Sequence, residues 1–293
     1  MKTYDFEIKV AVIGYVSVGK STVLNALFGR KYSDVAMRRA TAAINHFRVS
    51  TPPDYTQEPI RTADSTLTET MEDNVKLRDV SSASNGRVQE KKFVIELDDP
   101  LCDMRENTSL VFVDVPGINE ADRSMYKSYI HDNWDGFDCV VVVMDAIQGA
   151  NTQEQVSLLR FVSDNVREKK DIPVIILGNK IDDPDDEEML FQVEELRQKV
   201  AEVFGGYSPA KSTPQLIPIS AKNAFVYRYA SGLDFEEFKK LDKELIDKIG
   251  KDEVGKSQWK KLLQFEDKLK VAYDAIHNKG TESRVIFVSG VNC

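Results

Sequence analysis

This chain of 293 residues has little cysteine, no long apolar run and no excess of positive charge. The three cysteines, Cys102, Cys139 and Cys293, are too few and too scattered for a disulfide framework or a zinc site, which favours a reducing compartment. The longest apolar run, 139–144, is too short to span a bilayer, and residues 1–7 lack the apolar core of a signal peptide. We therefore expect a cytoplasmic protein, with association to an organelle or a membrane surface left open.

Acidic residues outnumber basic ones, with 48 Asp and Glu residues against 39 Lys and Arg residues, which gives a net charge of −9. This balance argues against a dedicated nucleic-acid surface, although a local basic stripe could lie within an acidic total. No nucleic-acid partner is expected. A hydrophobic content of 42% over this length is enough to bury one large core, with room for a helical appendage.

Short apolar runs rich in Val, Ile and Phe alternate with longer amphipathic segments along the chain. Strands are predicted at 7–13, 43–49, 91–97, 109–114, 138–145, 173–178 and 215–219. Helices are predicted at 20–29, 64–80, 123–133, 152–169, 186–204, 221–230, 234–249 and 256–278. Such alternation is typical of an α/β fold with a mostly parallel central sheet and helices on both faces.

A glycine-cornered loop, Gly14 to Ser21, lies between the first predicted strand and the first predicted helix. Its spacing of Gly14, Gly19, Lys20 and Ser21 is that of a P-loop, whose backbone N–H groups turn inward onto phosphate oxygens. Lys20 can then reach the β- and γ-phosphates, and the Ser21 hydroxyl can ligate Mg²⁺. An ordinary glycine turn is the plainer alternative, and the flanking strand and helix favour the P-loop. The residues assigned to phosphate binding are Gly14, Val18, Gly19, Lys20, Ser21 and Thr22.

Three further polar motifs each come directly after a predicted strand. They are Asp114 to Gly117, Asn179 to Asp182, and Ser220 to Lys222. The carboxyl ends of parallel strands meet at one edge of an open sheet, where such sheets bind their ligands. The P-loop and these three motifs are therefore predicted to form one nucleotide site.

The motif Asn179 to Asp182 indicates which base is bound. Asp182 can accept hydrogen bonds from N1–H and the exocyclic amine of guanine, whereas adenine has no such donor pair and would leave a buried carboxylate unpaired. GTP is therefore preferred to ATP. Lys180 would lie along the base, Asn179 would tie the segment to the P-loop, and the Ala221 N–H would meet the guanine O6. The residues assigned to the base are Asn179, Lys180, Asp182, Ser220, Ala221 and Lys222.

Two segments differ in composition from the rest of the chain. Residues 50–90 form a polar insertion around a charged helix, which we expect to be surface elaboration or a mobile loop. Residues 233–293 form a segment that is rich in Lys and Glu and has apolar residues at helical spacing. This pattern favours packing of the segment against its own domain over binding a membrane or a partner. The chain is thus predicted to consist of a nucleotide-binding domain, residues 1–232, and a short C-terminal helical extension.

The spacing of the motifs resembles that of one GTPase family. Thr41 follows Ser21 closely in a segment rich in basic residues, so it is the candidate switch I threonine, which senses Mg²⁺ and the γ-phosphate. The interval from Thr41 to Asp114 is far longer than the hairpin with which Ras-like and Era-like GTPases cross it. Together with Ser17 in the P-loop, this interval resembles the GTPase domain of the dynamin superfamily over roughly residues 7–230.

The resemblance also implies how the chemistry is done. The serine at the position of Ser17 helps to orient the attacking water in that family, and plain loop capping is the alternative role here. Ile118 stands where Ras-like proteins carry the glutamine that positions water. Dynamin-like domains instead pair across their nucleotide faces and admit a monovalent cation, which implies a transient homodimer and K⁺, with a membrane-associated role left open. Val16 and Asn179 depart from the family, because dynamins carry glutamine and threonine there.

The motifs together predict a P-loop GTPase domain that hydrolyses GTP to GDP and phosphate with Mg²⁺, by positioning and electrostatic stabilisation. Lys20 would offset phosphate charge, and the Gly117 amide would contact the γ-phosphate. The residues assigned to catalysis are Ser17, Lys20, Thr41 and Gly117. The residues assigned to the metal are Ser21, Thr41 and, through a water, Asp114. Two alternatives stay open: an Era-like GTPase acting in ribosome or RNA assembly, and an interaction module that binds GTP and hydrolyses it negligibly.

Overall fold

The computed structural model describes most of the chain as two compact units, Met1–Ala221 and Lys222–Cys293. The residues that the structure describes are 6–33, 43–49, 60–80, 89–97, 101, 108–117, 123–148, 152–183, 185–205, 213–262 and 264–278. The two units divide one helix earlier than the predicted domain boundary at residue 232. Each unit has its own core of buried apolar side chains.

An eight-stranded sheet forms the centre of the described part of the first unit. Its strands are β1 (Phe6–Ile13), β2 (Ile44–Val49), β3 (Ile60–Arg61), β4 (Glu90–Ile95), β5 (Thr108–Asp114), β6 (Cys139–Asp145), β7 (Val174–Asn179) and β8 (Leu216–Pro218). They lie in the order β3-β4-β2-β5-β1-β6-β7-β8, and each neighbouring pair is parallel except β2 with β5. The predicted α/β fold with a mostly parallel sheet is confirmed.

Helices cover this sheet, and their bounds follow the hydrophobic periodicity of the sequence. They are α1 (Lys20–Phe28), α2 (Ala63–Val80), α3 (Arg123–Asp132), α4 (Gln153–Glu168) and α5 (Glu187–Phe204). Side-chain caps fix two of the starts, because the Thr152 hydroxyl accepts the N–H of Gln155 and the Asp186 carboxylate accepts those of Glu188 and Met189. All of β5 is buried, as expected for a strand with helices on both faces.

An aromatic cluster holds α1 against the sheet. The ring of Phe28, at the end of α1, packs edge to face against Tyr32, Phe47 and Phe112, with centroids 5.5–5.6 Å apart. Such aromatic pairs add about 0.5–1.5 kcal/mol each beyond the burial of their area. The helix that follows the P-loop therefore has a fixed position relative to β2 and β5.

The described part of the insertion 50–90 is more regular than a loop. Besides the predicted helix, α2, it contributes the short edge strand β3, which pairs in parallel with β4. Glu69 on α2 lies 3.5 Å from Arg61 and 3.4 Å from Lys91, so ion pairs join the helix to both strands. Residues 50–59 and 81–88 lie outside the described residues. The expectation that the insertion is surface elaboration or a mobile loop stays a prediction. The strand β3 was not predicted, because a two-residue strand carries too little periodicity.

The second unit is a small helical assembly. Its helices in the described residues are α6 (Ala221–Ser231), α7 (Phe235–Phe238), α8 (Lys243–Val254), α9 (Lys256–Trp259) and α10 (Phe265–Asn278). Trp259 is buried at its centre, donates its indole N–H to Asp247, and packs so closely on Gly250 that a Cβ there would overlap the ring. Leu269 and Ala272 of α10 are buried in the same core. The helices of this segment pack on one another, and the preference for such packing over binding a membrane or a partner stays a prediction. The helices predicted at 234–249 and 256–278 are each divided in two.

The described helices do not include one with the length and apolar composition needed to cross a membrane.

Candidate nucleotide site

The loop between β1 and α1 has the backbone conformation of a phosphate cradle. Gly19 has a φ of +97°, and a side chain on it would strike the carboxamide of Asn179, so only glycine fits. Ser17 has a φ of +63°, in the left-handed region, and its side chain is exposed. A residue with a Cβ is strained there by about 1–2 kcal/mol, and such strain concentrates at functional sites.

Lys20 is buried at the base of this loop. Its ammonium donates to the backbone oxygen of Gly14 at 3.2 Å and to that of Tyr15 at 2.9 Å. Burial lowers the pKa of Lys20 to about 8, and the opposing charge of Asp114 limits the shift. The ammonium is therefore still protonated at neutral pH, and it is held by carbonyl groups that phosphate oxygens could replace.

Asp114, the last residue of β5, is fully buried close to Lys20. Burial raises the pKa of this carboxyl to about 6, against the lowering effects of Lys20 and of hydrogen bonds from Ser33 and Ser21. Its Oδ1 accepts no hydrogen bond from the described residues. A buried carboxylate oxygen beside the Ser21 hydroxyl is a fitting partner for a water of Mg²⁺, so the donor set present here suits that ion.

Asn25, on α1, holds Ser33 near Asp114. Its Oδ1 accepts the N–H groups of Tyr32 and Ser33, both at 3.0 Å, and its Nδ2 donates to the oxygen of Ser33 at 2.8 Å. The Ser33 hydroxyl reaches Asp114 Oδ2 at 3.5 Å. Neither Asn25 nor Ser33 was predicted from the sequence, because a buried asparagine in a helix has no motif of its own.

The backbone of Gly117 lies directly against the P-loop. A Cβ on Gly117 would come within 2.8 Å of the Cα of Val16, so the two loops approach each other as closely as glycine allows. The assigned contact of the Gly117 amide with the γ-phosphate is untested and stays a prediction.

Asn179, the last residue of β7, connects three of the predicted motifs. Its Nδ2 donates to the backbone oxygen of Val18 at 2.8 Å, the tie to the P-loop that the sequence predicts. Its Oδ1 accepts the N–H of Ala221 at 2.9 Å. The Ala221 N–H was expected to meet the guanine O6, and in the structure it is already engaged, so it could reach the base only by sharing this hydrogen bond.

Asp182 and Ser220 are joined directly, and the residues beside them are joined by a backbone hydrogen bond. The Ser220 hydroxyl donates to Asp182 Oδ1 at 2.5 Å, and the N–H of Ile181 donates to the oxygen of Ile219 at 3.1 Å. The segments 179–182 and 219–221 are therefore fixed against each other by side-chain and backbone bonds. The assignment of Asp182 as the acceptor for guanine stays a prediction.

Asp145, at the carboxyl end of β6, is a site residue that the motifs of the sequence did not predict. Its Oδ2 lies 2.6 Å from the ammonium of Lys180, and its Oδ1 accepts the N–H groups of Ile147 and Gln148 at 3.1 and 3.2 Å. Lys180 itself has a φ of +78°. The available signal was position alone, since Asp145 ends an apolar strand in the same way as Asp114 and Asn179 do.

Three assigned residues need separate mention. Thr41 lies outside the described residues, as do Ile118, Arg38 and Arg39. Lys222 is an exposed residue of α6 in the second unit, and Thr22 is half-buried in the first turn of α1. The structure therefore brings together in one region the residues Gly14, Val18, Gly19, Lys20, Ser21, Asp114, Gly117, Asn179, Lys180, Asp182, Ser220 and Ala221.

Residues 10–180 match the family model described as the dynamin family. The chain belongs to the dynamin family. The predicted resemblance to dynamin-like P-loop GTPases is thereby confirmed, and the family uses guanine nucleotide and Mg²⁺. The roles assigned to single residues and the cytoplasmic location stay predictions.

The chain is also similar to individual curated proteins. It is 26% identical over 212 residues to GTPase Era of Clostridium botulinum, covering 72% of this chain and 49% of that protein. It is 25% identical over 191 residues to an uncharacterized protein of Acanthamoeba polyphaga mimivirus, covering 62% of this chain and 30% of that one. The chain thus spans half the length, or less, of the curated relatives that it matches.

Two solved structures are similar at the level of the fold alone. A dimerization-deficient mutant of Toc33 from Arabidopsis thaliana has a TM-score of 0.45 at 12% identity, covering 74% of this chain and 72% of that one. Era in complex with MgGDPNP and a segment of 16S ribosomal RNA has a TM-score of 0.42 at 20% identity, covering 74% and 52%.

Proposed function

We propose that this dynamin-family chain hydrolyses GTP to GDP and phosphate, with Mg²⁺ as cofactor. The observation that carries the proposal is the buried pair of Lys20 and Asp114 under the P-loop, with Asp114 Oδ1 unpartnered among the described residues. A buried carboxylate in this state suits a water of Mg²⁺, the ion that neutralises charge on the phosphates during GTP hydrolysis.

The side chains of the chain itself would do most of the work. The ammonium of Lys20 exchanges the oxygens of Gly14 and Tyr15 for those of the β- and γ-phosphates, and the loop amides offset further charge. Mg²⁺, when bound, neutralises charge on the same phosphates. Ser21 and Thr41 would ligate it, and Asp114 would hold one of its waters.

The attacking water must be positioned by a polar group, and the residue after Gly117, where Ras-like proteins carry glutamine, does not supply one. Ile118 has no polar atom, and the P-loop holds no arginine. Ser17, which combines a strained backbone with an exposed side chain in the P-loop, is the proposed water-orienting residue. Pairing of two copies across their nucleotide faces would order the switch segments and admit K⁺, so hydrolysis is proposed to require a transient homodimer.

Two measurements together test this proposal. Specific GTP turnover is followed over a range of protein concentrations in K⁺ and in Na⁺, and the mass of the GDP and GDP–aluminium fluoride complexes is measured by sedimentation. We expect turnover that rises with concentration, prefers K⁺ and disappears with EDTA, and a dimer only in the fluoride complex. Turnover independent of concentration would reject the dimer, and absence of Mg²⁺-dependent turnover would reject the enzyme.

Similarity to GTPase Era over 72% of the chain favours one second candidate, action on RNA. The net charge of −9 argues against it. Filter binding with 16S ribosomal RNA at physiological salt decides between the two. Specific binding that depends on GTP would favour the Era-like function, and affinity no tighter than the roughly micromolar non-specific range would leave the dynamin-like proposal standing.

A further inference from the structure

The chain reverses direction directly after α1 and runs back beside that helix. Gly29, which follows the last residue of α1, has a φ of +73°, a left-handed conformation that glycine adopts without strain. The residues after it return along the helix, so that Tyr32 and Ser33 lie next to Asn25, which is one turn before the end of α1. This return brings a buried hydroxyl, that of Ser33, to the last residue of β5, Asp114.

Asn25 fixes the backbone of this return. Its side chain is buried, and a buried carboxamide is stable only when its polar atoms are paired. The Oδ1 atom accepts two backbone N–H groups and Nδ2 donates to a carbonyl oxygen, at 2.8–3.0 Å. Tyr32 holds the same segment from the other side, because its hydroxyl donates to the oxygen of Glu96 at 2.7 Å and its ring packs on Phe28. Ser33 is therefore held in a fixed place.

Ser33 meets Asp114 at one of the two carboxylate oxygens. Ser33 is 2% exposed, Asp114 is fully buried, and the Ser33 hydroxyl donates to Oδ2 at 3.5 Å. This distance is longer than the usual separation of about 2.7–2.8 Å for a hydroxyl donor, so loss of the contact costs little stability. Because the contact is buried, no bulk water competes with it, and it still favours one orientation of the carboxylate. A group that holds Oδ2 also decides where Oδ1 points, and Oδ1 accepts no hydrogen bond from the described residues.

The other polar neighbours of Asp114 have different tasks. The ammonium of Lys20 donates to the backbone oxygens of Gly14 and Tyr15, and it offsets the charge of Asp114 without fixing its direction. The hydroxyl of Ser21 is assigned to the metal itself. Ser33 is thus the neighbour left to orient the carboxylate.

We infer that Ser33, held by Asn25, is a positioning residue for Asp114 that leaves Oδ1 to a water of Mg²⁺. The inference rests on the proposed GTP hydrolysis, in which this carboxylate supports the metal. Outer-shell partners orient the carboxylates of metal sites, and their removal typically lowers metal affinity or activity by about 10–100-fold. Ser33 is not among the residues assigned to the phosphates or the base, so binding of nucleotide without metal does not depend on it.

The test is the affinity for a non-hydrolysable GTP analogue, measured once with Mg²⁺ and once with EDTA. Ser33→Ala should leave the affinity in EDTA unchanged and reduce the gain from Mg²⁺ by about tenfold, the lower end of the range for outer-shell partners. Ser163→Ala is the matched control, because Ser163 is a buried serine of α4 whose hydroxyl donates to the oxygen of Val203 at 3.4 Å. The control should leave both affinities unchanged.

Asn25→Ala tests whether Asn25 acts through Ser33. It should lower the melting temperature, because two buried N–H groups lose their acceptor, and reduce the gain from Mg²⁺ as Ser33→Ala does. The double variant should lose no more of that gain than Asn25→Ala alone. Asn165→Ala, which removes a buried carboxamide of α4 that donates to the oxygen of Phe161 at 2.8 Å, should lower the melting temperature and keep the gain. Ser33→Ala decides the inference even if Asn25→Ala does not fold.

Turnover separates this inference from the proposed function. In phosphate release, Ser33→Ala should raise the Mg²⁺ concentration for half-maximal rate by about tenfold and keep kcat at saturating Mg²⁺. If the unchanged chain does not hydrolyse GTP, the proposed function fails, and the analogue affinities still decide the inference. An undiminished gain from Mg²⁺ in Ser33→Ala, an equal loss of its affinity in EDTA, or an unchanged chain whose analogue affinity does not depend on Mg²⁺ would overturn it.

Discussion

The two halves of the nucleotide site are built in opposite ways. In the phosphate half, the P-loop with Asp114 and Gly117, buried charges have shifted pKa values and Asp114 Oδ1 is unpartnered among the described residues. In the base half, which comprises 179–182, 220–221 and Asp145, each motif side chain from Asn179 to Asp182 other than Ile181 is bonded to a neighbour.

The difference indicates a division of labour. A fully bonded half is preorganised and binds its ligand without rearrangement, which suits selection of a base. A half with an incompletely bonded buried carboxylate gains its missing partners only from phosphate and metal, which suits stabilisation of a changing charge. Variants in the base half should therefore change affinity, and variants in the phosphate half should change turnover or its metal dependence, except at Lys20, which also binds the phosphates.

Lys20→Ala should have the largest effect, because Lys20 serves both binding and charge stabilisation. We expect affinity for GTP and for GDP to fall together by about a hundredfold or more, since hydrogen bonds from a charged donor to phosphate are lost. Titration with fluorescent GTP and GDP measures this, with the exposed Lys31→Ala as control. A loss confined to GTP would show that Lys20 contacts only the γ-phosphate.

Asp182→Asn should nearly match that loss in the base half while changing specificity. A donor would then face the guanine N1–H, so GTP affinity should fall by about 3 kcal/mol and xanthosine triphosphate should become the better ligand. Calorimetry with both nucleotides checks this. The exposed neighbour variant Asp183→Asn should leave GTP preferred, and unaltered GTP affinity in Asp182→Asn would remove this segment from the base site.

Asp114→Asn should separate turnover from binding in the phosphate half. The amide keeps the size of the side chain and loses the charge that supports the Mg²⁺ water, so kcat should fall by about tenfold to a hundredfold. Metal-free GDP affinity should be unchanged. Phosphate release over a Mg²⁺ titration measures the effect. Equal loss of metal-free GDP binding would mean that Asp114 supports the fold of the loop instead.

Asp145→Asn should weaken recognition without touching the chemistry. Loss of the charge facing Lys180 should lower affinity for GTP and GDP equally, by about 1 kcal/mol because the lysine is half-exposed, and should leave kcat unchanged. The exposed helix variant Asp164→Asn is the control in the same titration. A lower kcat at saturating GTP would place Asp145 in the phosphate half of the comparison.

Two substitutions at Ser17 give the smallest and most specific effect. Ser17→Gly removes the left-handed strain and should raise stability by about 1 kcal/mol, whereas Ser17→Ala keeps the strain. Both lack the hydroxyl, so both should lower kcat by the same few-fold if it orients water. Thermal melting and turnover together measure this. A loss of kcat in only one variant would indicate that backbone shape, and not the hydroxyl, matters.

The motif residues could be predicted from the sequence because binding of phosphate and guanine requires particular groups at fixed spacing. The P-loop and the tie from Asn179 to Val18 follow from that demand. Ser33 lies 81 residues from Asp114 in the chain, and Asp145 lies 35 residues from Lys180, so only the packing of the strands brings these pairs into contact. Asn25 lies on the helix that follows the P-loop and has no motif of its own. The strand β3 was not predicted for a different reason, because its two residues are too few to show the alternation that marks a strand.

Release of phosphate from GTP by the unchanged chain, with Mg²⁺ and with EDTA, tests the central claim most directly when Asp114→Asn and Asp182→Asn are measured beside it. The account predicts Mg²⁺-dependent release that Asp114→Asn lowers at every GTP concentration, and that Asp182→Asn loses for GTP and recovers with xanthosine triphosphate. Release that is insensitive to EDTA, or that both variants leave unchanged, would contradict the assignment of this site to GTP hydrolysis.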